Sequence, residues 1–154
     1  NKFLFNVTID KIIIEPVRVL RSQYGGKIFV GKNCYMSKGV LTHRGNIIIW
    51  NNSTINHTVI YGQGGVNIGN GVRIAHCVIV PQITFWKILI SNNIQSLSKK
   101  GIVIEDDVWL GAGVKVLDGV TINGDGDWSE AVVTHSIEEY GIYVVLAHKI
   151  KSRK

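Results

Sequence analysis

The 154-residue chain holds only two cysteines, two prolines and one methionine, and 18% of its residues are charged. Each scarcity excludes something. Cys34 and Cys77 cannot staple a disulfide framework, and a chain of this length can bury a continuous core without one. They read as reduced, buried thiols, which points to the cytoplasm. So little charge beside 45% hydrophobic residues excludes a disordered segment. No apolar run approaches the roughly 20 residues of a membrane span, and no signal-peptide pattern opens the chain. The expectation is a cytoplasmic protein with no membrane span. His43, His57, His76, His135 and His148 include no closely spaced pair of the kind that holds zinc, so no metal is expected.

The charge that is present leans basic, with a net charge of +6 and a pI near 9.4. Such a balance attracts anions. The basic residues are dispersed, apart from Lys99-Lys100 and the tail residues Lys149, Lys151, Arg153 and Lys154. The interleaved aromatic and basic motif of an RNA-binding module is missing, so nucleic acid is not an expected partner.

A helical rhythm is also missing, and a period of six stands in its place. Between residues 102 and 122, in IVIEDDVWLGAGVKVLDGVTI, Ile104, Leu110, Val116 and Ile122 recur every sixth position. Val108, Val114 and Val120 follow four places after the first three, and Gly111, Gly113 and Gly119 fall between. Turns of 3.6 residues would scatter these aliphatics around a helix, and plain strand alternation does not place glycine at fixed offsets. The pattern reads as a parallel β-helix built of hexads.

Upstream, Val7, Ile9, Ile12, Ile14, Val17 and Val19 alternate roughly by two, as strands do. Residues 24–27, 42–46 and 61–65 read as turns or small loops. The hexads emerge at Val30 and Met36, slip, resume at Ile49 and Ile55, and run cleanly through residues 68–79. Asn51, Asn52, Asn56, Asn67 and Asn70 suit corners, because asparagine tolerates left-handed backbone angles. The sequons beginning at Asn6, Asn52 and Asn56 are read as corners too.

The rhythm stops after Pro81. An irregular loop covers about residues 82–101 before the hexads return at Ile102. Loops that leave a regular solenoid usually reach a ligand or a neighbouring subunit. Ile83, Phe85, Trp86, Ile88, Leu89 and Ile90 are too apolar for a solvated loop and predict packing against the coil or a subunit interface. His57 and His76 lie 19 residues apart, about one coil, a spacing that could stack them on one face, and His76, at a corner offset, is predicted to point outward. The C-terminal cap is placed at about residues 135–154.

The segment VNIGNGVRIA at 66–75, the irregular loop and GIVIEDDVWLGAGVKVLDGVTI resemble the hexapeptide-repeat acyltransferases, within them the maltose/galactoside O-acetyltransferase-like group. The resemblance spans roughly residues 25–154. It implies an all-β fold, with residues 1–154 as one left-handed parallel β-helix domain, and a homotrimer with each active site between two subunits. Its implied activity is acetyl transfer from acetyl-CoA to a sugar or a surface-polysaccharide precursor. Position by position, it implies that Ala112 meets the CoA arm, that Thr134 bonds the adenosine end, and that His148 and Lys151 meet the phosphates. Asn56 matches a position near the acceptor.

Three departures accompany the resemblance. The family's loop usually carries a histidine general base, suited to that work because imidazole exchanges protons near neutral pH. Here Ile83 occupies that position. Residues 127–130 and 143–148 also depart from the family pattern. The alternative reading is therefore a catalytically impaired homologue serving as a trimeric ligand-binding scaffold. His57 and His76 read first as ordinary surface or interface histidines, with a substitute proton acceptor as the second reading.

Overall fold

The computed structural model describes residues 18–21, 25–37, 40–80, 83–84, 97–124, 127–137, 141–144 and 148–151. Within them there is no helix; short strands stack in parallel into a three-sided solenoid, consistent with the left-handed β-helix read from the hexads.

Three rows of register-paired residues define three faces. On the first face, Val30, Ile49, Ile68, Ile104 and Ile122 pair in sequence from strand to strand. The second face aligns Met36, Ile55, Ile74, Leu110, Trp128 and Tyr143. On the third, Thr42, Ile60, Ile79, Val116 and Val133 form the row. Each hexad sends two side chains inward. Val108, Val114 and Val120, with Ile104, Leu110, Val116 and Ile122, are at most 1% exposed. At about 1.5–3 kcal/mol for each fully buried aliphatic, this column is the dominant source of stability.

The corners follow from backbone chemistry. At the first edge, between first and second faces, Asn33, Asn52, Gly71 and Asp107 all take positive φ. Asparagine, aspartate and glycine are the residues that enter this region most readily. An amide ladder climbs beside them. Asn51 Oδ1 accepts from the Lys32 N–H at 2.8 Å, Asn70 Oδ1 from the Asn51 N–H at 3.1 Å, and Asp106 Oδ1 from the Asn70 N–H at 2.7 Å. Side-chain acceptors thus satisfy main-chain donors that the turn takes out of the strand ladder.

The third edge differs from the sequence expectation. Residues 42–46 and 61–65, expected as turns, lie inside the continuous strands Leu41–Ile49 and Val59–Ile68. Positive φ at Arg44, Gly45, Gly64 and Gly65 bends the chain, while register shifts between His43 and Ile47 absorb the bend. Gly45 is required there: a Cβ on it would lie 1.9 Å from the Gly62 carbonyl oxygen. Glycine therefore lets two strands turn together without separating.

The ends break the parallel rule. Arg18–Arg21 runs antiparallel to Lys27–Val30, and His148–Lys151 runs antiparallel to Ile142–Val144. An antiparallel partner covers the open strand edge that a solenoid would otherwise present. The departure at residues 127–130 is visible as a shortened coil. Leu110 pairs with Trp128, 18 residues on; Val116 pairs with Val133, 17 on; Ile122 bridges to Ile137, 15 on.

In the excursion, Ile83–Thr84 pairs antiparallel with Leu97–Ser98. The predicted packing of Phe85, Trp86, Ile88, Leu89 and Ile90 falls outside the described residues, as do Pro81, the strands expected before residue 18 and parts of the tail. The returning chain is fastened by Asp118, a buried carboxylate that accepts from the Gly101 N–H at 2.8 Å and the Lys100 N–H at 3.1 Å.

Candidate functional site

The second edge, between second and third faces, gathers the residues with chemical capability. His57, His76, Gly113 and Glu130 take equivalent positive-φ positions in successive coils. That conformation turns His57 and His76 out of the wall, and both are exposed. Their rings stack with centroids 4.9 Å apart and planes 13° apart. His76 is held from both sides along the edge: its N–H donates to the Asn56 carbonyl at 2.9 Å, and its carbonyl accepts from the Gly113 N–H at 3.2 Å. Ser37 Oγ lies 3.5 Å from His57 Nδ1 and accepts from the His57 N–H at 3.0 Å.

Ala112 occupies the same edge one coil beyond His76, exposed and beside Gly113. A methyl side chain at an open corner leaves room for a ligand to lie along the edge. Asn56 is on this edge also, half-buried, with its carbonyl also accepting from Thr58 Oγ1 at 2.7 Å. Four sequence-selected residues therefore converge: Asn56, His57, His76 and Ala112.

The others are distributed. His148 pairs with Val144, which lies over Ser129, so its backbone reaches the second-edge end of the second face. Lys151 pairs with Ile142 over Asp127, at the opposite end of that face. Thr134 is exposed beyond Val132–Val133, where the third face approaches the third edge; its Oγ1 lies 2.8 Å from His135 Nδ1. Ile83 belongs to the excursion from the third edge.

Two participants were missed by sequence reading. Ser37 has no motif, and only the coil register places it beside His57. Glu130 sits where the coil below has Gly113. Its Oε1 comes within 3.6 Å of the point a Gly113 Cβ would occupy, placing a carboxylate beside Gly113. The signal available was the five-residue interval from Trp128 to Val133 in place of six.

The two cysteines are inward residues of this scaffold. Burial raises the Cys34 thiol and pushes Cys77 up to about 11, against main-chain hydrogen bonds that lower both. Such thiols are poor nucleophiles at neutral pH. Among the described residues, no group of three or more metal-ligating side chains is present.

The fold defines the architectural class: a β-solenoid of hexapeptide repeats, with two histidines turned outward at its second edge. No family model matches the sequence, and no curated protein matches it. Solved structures do. AntD, an N-acyltransferase from Bacillus cereus in complex with dTDP and 3-hydroxybutyryl-CoA, is similar with a TM-score of 0.72 and 20% identity, over 84% of this chain and 82% of that one. A serine-to-alanine mutant of AntD in complex with dTDP-4-amino-4,6-dideoxyglucose and coenzyme A gives 0.63 and 20%, over 88% and 92%. A hexapeptide-repeat-containing acetyltransferase from Vibrio cholerae gives 0.55 and 23%, over 79% and 66%. At these identities the likeness establishes the fold.

Proposed function

We propose that the chain is an acyl-CoA-dependent acyltransferase acting on a sugar, with O-acetylation of a sugar or surface-polysaccharide precursor as the reaction. The observation that carries this reading is the His57–His76 stack on the edge that also bears Ala112. It supplies a proton acceptor that the loop lacks at Ile83.

Acyl transfer needs three things: a seat for the thioester, removal of a proton from the attacking group, and an exit for CoA as thiolate or thiol. Ala112 leaves the edge open for the CoA arm. The imidazole of His76 takes the acceptor's proton as its oxygen attacks the thioester carbonyl, and returns it to the leaving sulfur. His57 stacks on His76 and holds its plane, with Ser37 against His57 Nδ1. Asn56 offers an amide to the acceptor, and His148 and Lys151 provide cations for the CoA phosphates, with Thr134 toward the adenosine. A homotrimer, with sites between subunits, would let the excursion of one chain approach the second edge of another. AntD is an N-acyltransferase crystallised with an aminosugar nucleotide, so amine acceptors belong in the same assay.

Calorimetric titration with acetyl-CoA tests the reading, followed by acceptor-dependent CoA release with hydroxyl and amino sugars. Saturable binding and acceptor-dependent release support it; no binding at millimolar acetyl-CoA removes it. The scaffold alternative rests on Ile83, which cannot accept a proton. It predicts ligand binding without turnover by the wild-type chain.

A further inference from the structure

A second feature lies on the first face, where it meets the third edge and the excursion rejoins the coil. A groove of about 370 Å³ opens there. Ile48 and Val103 contribute apolar surface, Asn46, Asn67 and Thr121 contribute polar groups, and Lys100 stands at one margin. No carboxylate lines it among the described residues.

The placement of Lys100 is built into the fold. Its N–H and that of Gly101 are held by the Asp118 carboxylate. Its aliphatic stem lies over Gly119: a Cβ there would meet Lys100 Cδ at 2.9 Å and Cβ at 3.4 Å. Gly119, at φ 77, so makes the notch that seats the stem, while Lys100 remains exposed. A lysine stem laid along a surface with its ammonium in water is an economical way to fix a cation.

The asparagines reinforce the selectivity. Asn46 Oδ1 accepts from the Lys27 N–H at 3.1 Å, and Asn67 Oδ1 accepts from Trp50 Nε1 at 2.9 Å. With both amide oxygens engaged inside the fold, their NH2 groups remain as donors. A groove with two side-chain amides, a seated cation and no carboxylate among its described lining suits a ligand that carries negative charge.

We propose that this groove is a phosphate site with Lys100 as its cation. The phosphate has two possible sources: the diphosphate of a nucleotide-linked sugar acceptor, or the phosphates of acyl-CoA. That choice rests on the acyltransferase reading; the anion preference does not.

The test is calorimetric titration of inorganic pyrophosphate, dTDP and CoA into the wild type, Lys100→Met and Lys100→Arg. Methionine keeps an unbranched stem over Gly119 and removes the charge. At low salt the expected result is a roughly 10-fold loss of affinity in Lys100→Met, largely restored in Lys100→Arg, for pyrophosphate and for one of the two larger ligands. Loss confined to dTDP assigns the acceptor, and loss confined to CoA assigns the donor. Equal affinities in wild type and Lys100→Met, or no binding of any of the three by wild type, overturn the proposal. Acceptor-dependent CoA release, measured in parallel, separates the two readings. Turnover with unchanged anion affinity refutes the groove alone, and Lys100-dependent pyrophosphate binding without turnover refutes the acyltransferase alone.

Discussion

The imidazole of His57 lies face to face with that of His76 in the next coil, at a centroid separation of 4.9 Å. Both residues hold positive φ, 41° and 53°, a region that costs an L-residue about 1–2 kcal/mol and that glycine enters freely. Glycine would fill these corners more easily, as Gly113 does at the equivalent position of a later coil. His76→Gly should therefore leave the fold intact, its relief of backbone strain offsetting the lost stacking, with Tm within about 3 °C of wild type or above it. Acyl transfer should be lost. Thermal unfolding and CoA release on the same preparation check both halves.

Asp118 fastens the return of the excursion. Asp118→Ala leaves the Lys100 and Gly101 N–H groups without their acceptor, which should cost about 1–3 kcal/mol in urea unfolding. Hydrogen exchange at those two amides should rise more than at Ile104, which lies in the adjacent strand core. Uniform acceleration across the coil would show that Asp118 has no local role.

Cys77 gives a pH prediction. Burial raises its thiol from 9.0 to about 11, so the folded protein keeps the proton where an unfolded thiol has lost it. The resulting stability is complete below pH 9 and declines as the pH rises toward 11. Cys77→Ser or Cys77→Ala should flatten the fall in unfolding free energy between pH 9 and 11. In the native wild type, neither thiol should react with a disulfide reagent at pH 8 until denaturant is added; rapid labelling of both would contradict their burial.

The inward and outward positions of a hexad should separate cleanly in mutagenesis. Leu110, with no exposed surface, should cost about 2–5 kcal/mol on change to alanine because its row neighbours Ile74 and Trp128 cannot close the void. Exposed Lys115 should change stability by no more than about 0.5 kcal/mol on the same substitution. Chemical denaturation of the two variants checks the ratio.

The coil architecture was legible because aliphatic spacing is a geometric constraint: Ile104, Leu110, Val116 and Ile122 recur by six since each side of the prism takes six residues. The same register made the stacking of His57 on His76 readable from their separation by 19. Glycine misled where it recurs at the third edge. Residues 42–46 and 61–65 resemble turns in isolation, yet neighbouring coils bend together and keep their pairing, a cooperative property of stacked strands that local composition does not carry. The shortened coil near Glu130 disturbed the hexads without disclosing what replaced them. Ser37 was invisible because its role depends on the ring that settles beside it. Ala112 and Asn56 share the second edge, whereas Thr134 and Lys151 stand apart from it on a single chain.

The most direct test of the account is the acceptor-dependent rate of CoA release from acetyl-CoA by the wild type and by His76→Asn, with acetyl-CoA affinity measured for both. The account predicts turnover by the wild type, a fall of about 10²–10⁴-fold in kcat for His76→Asn, and little change in acetyl-CoA affinity. Equal rates for the two proteins, or no release by the wild type with any hydroxyl or amino sugar, would contradict it.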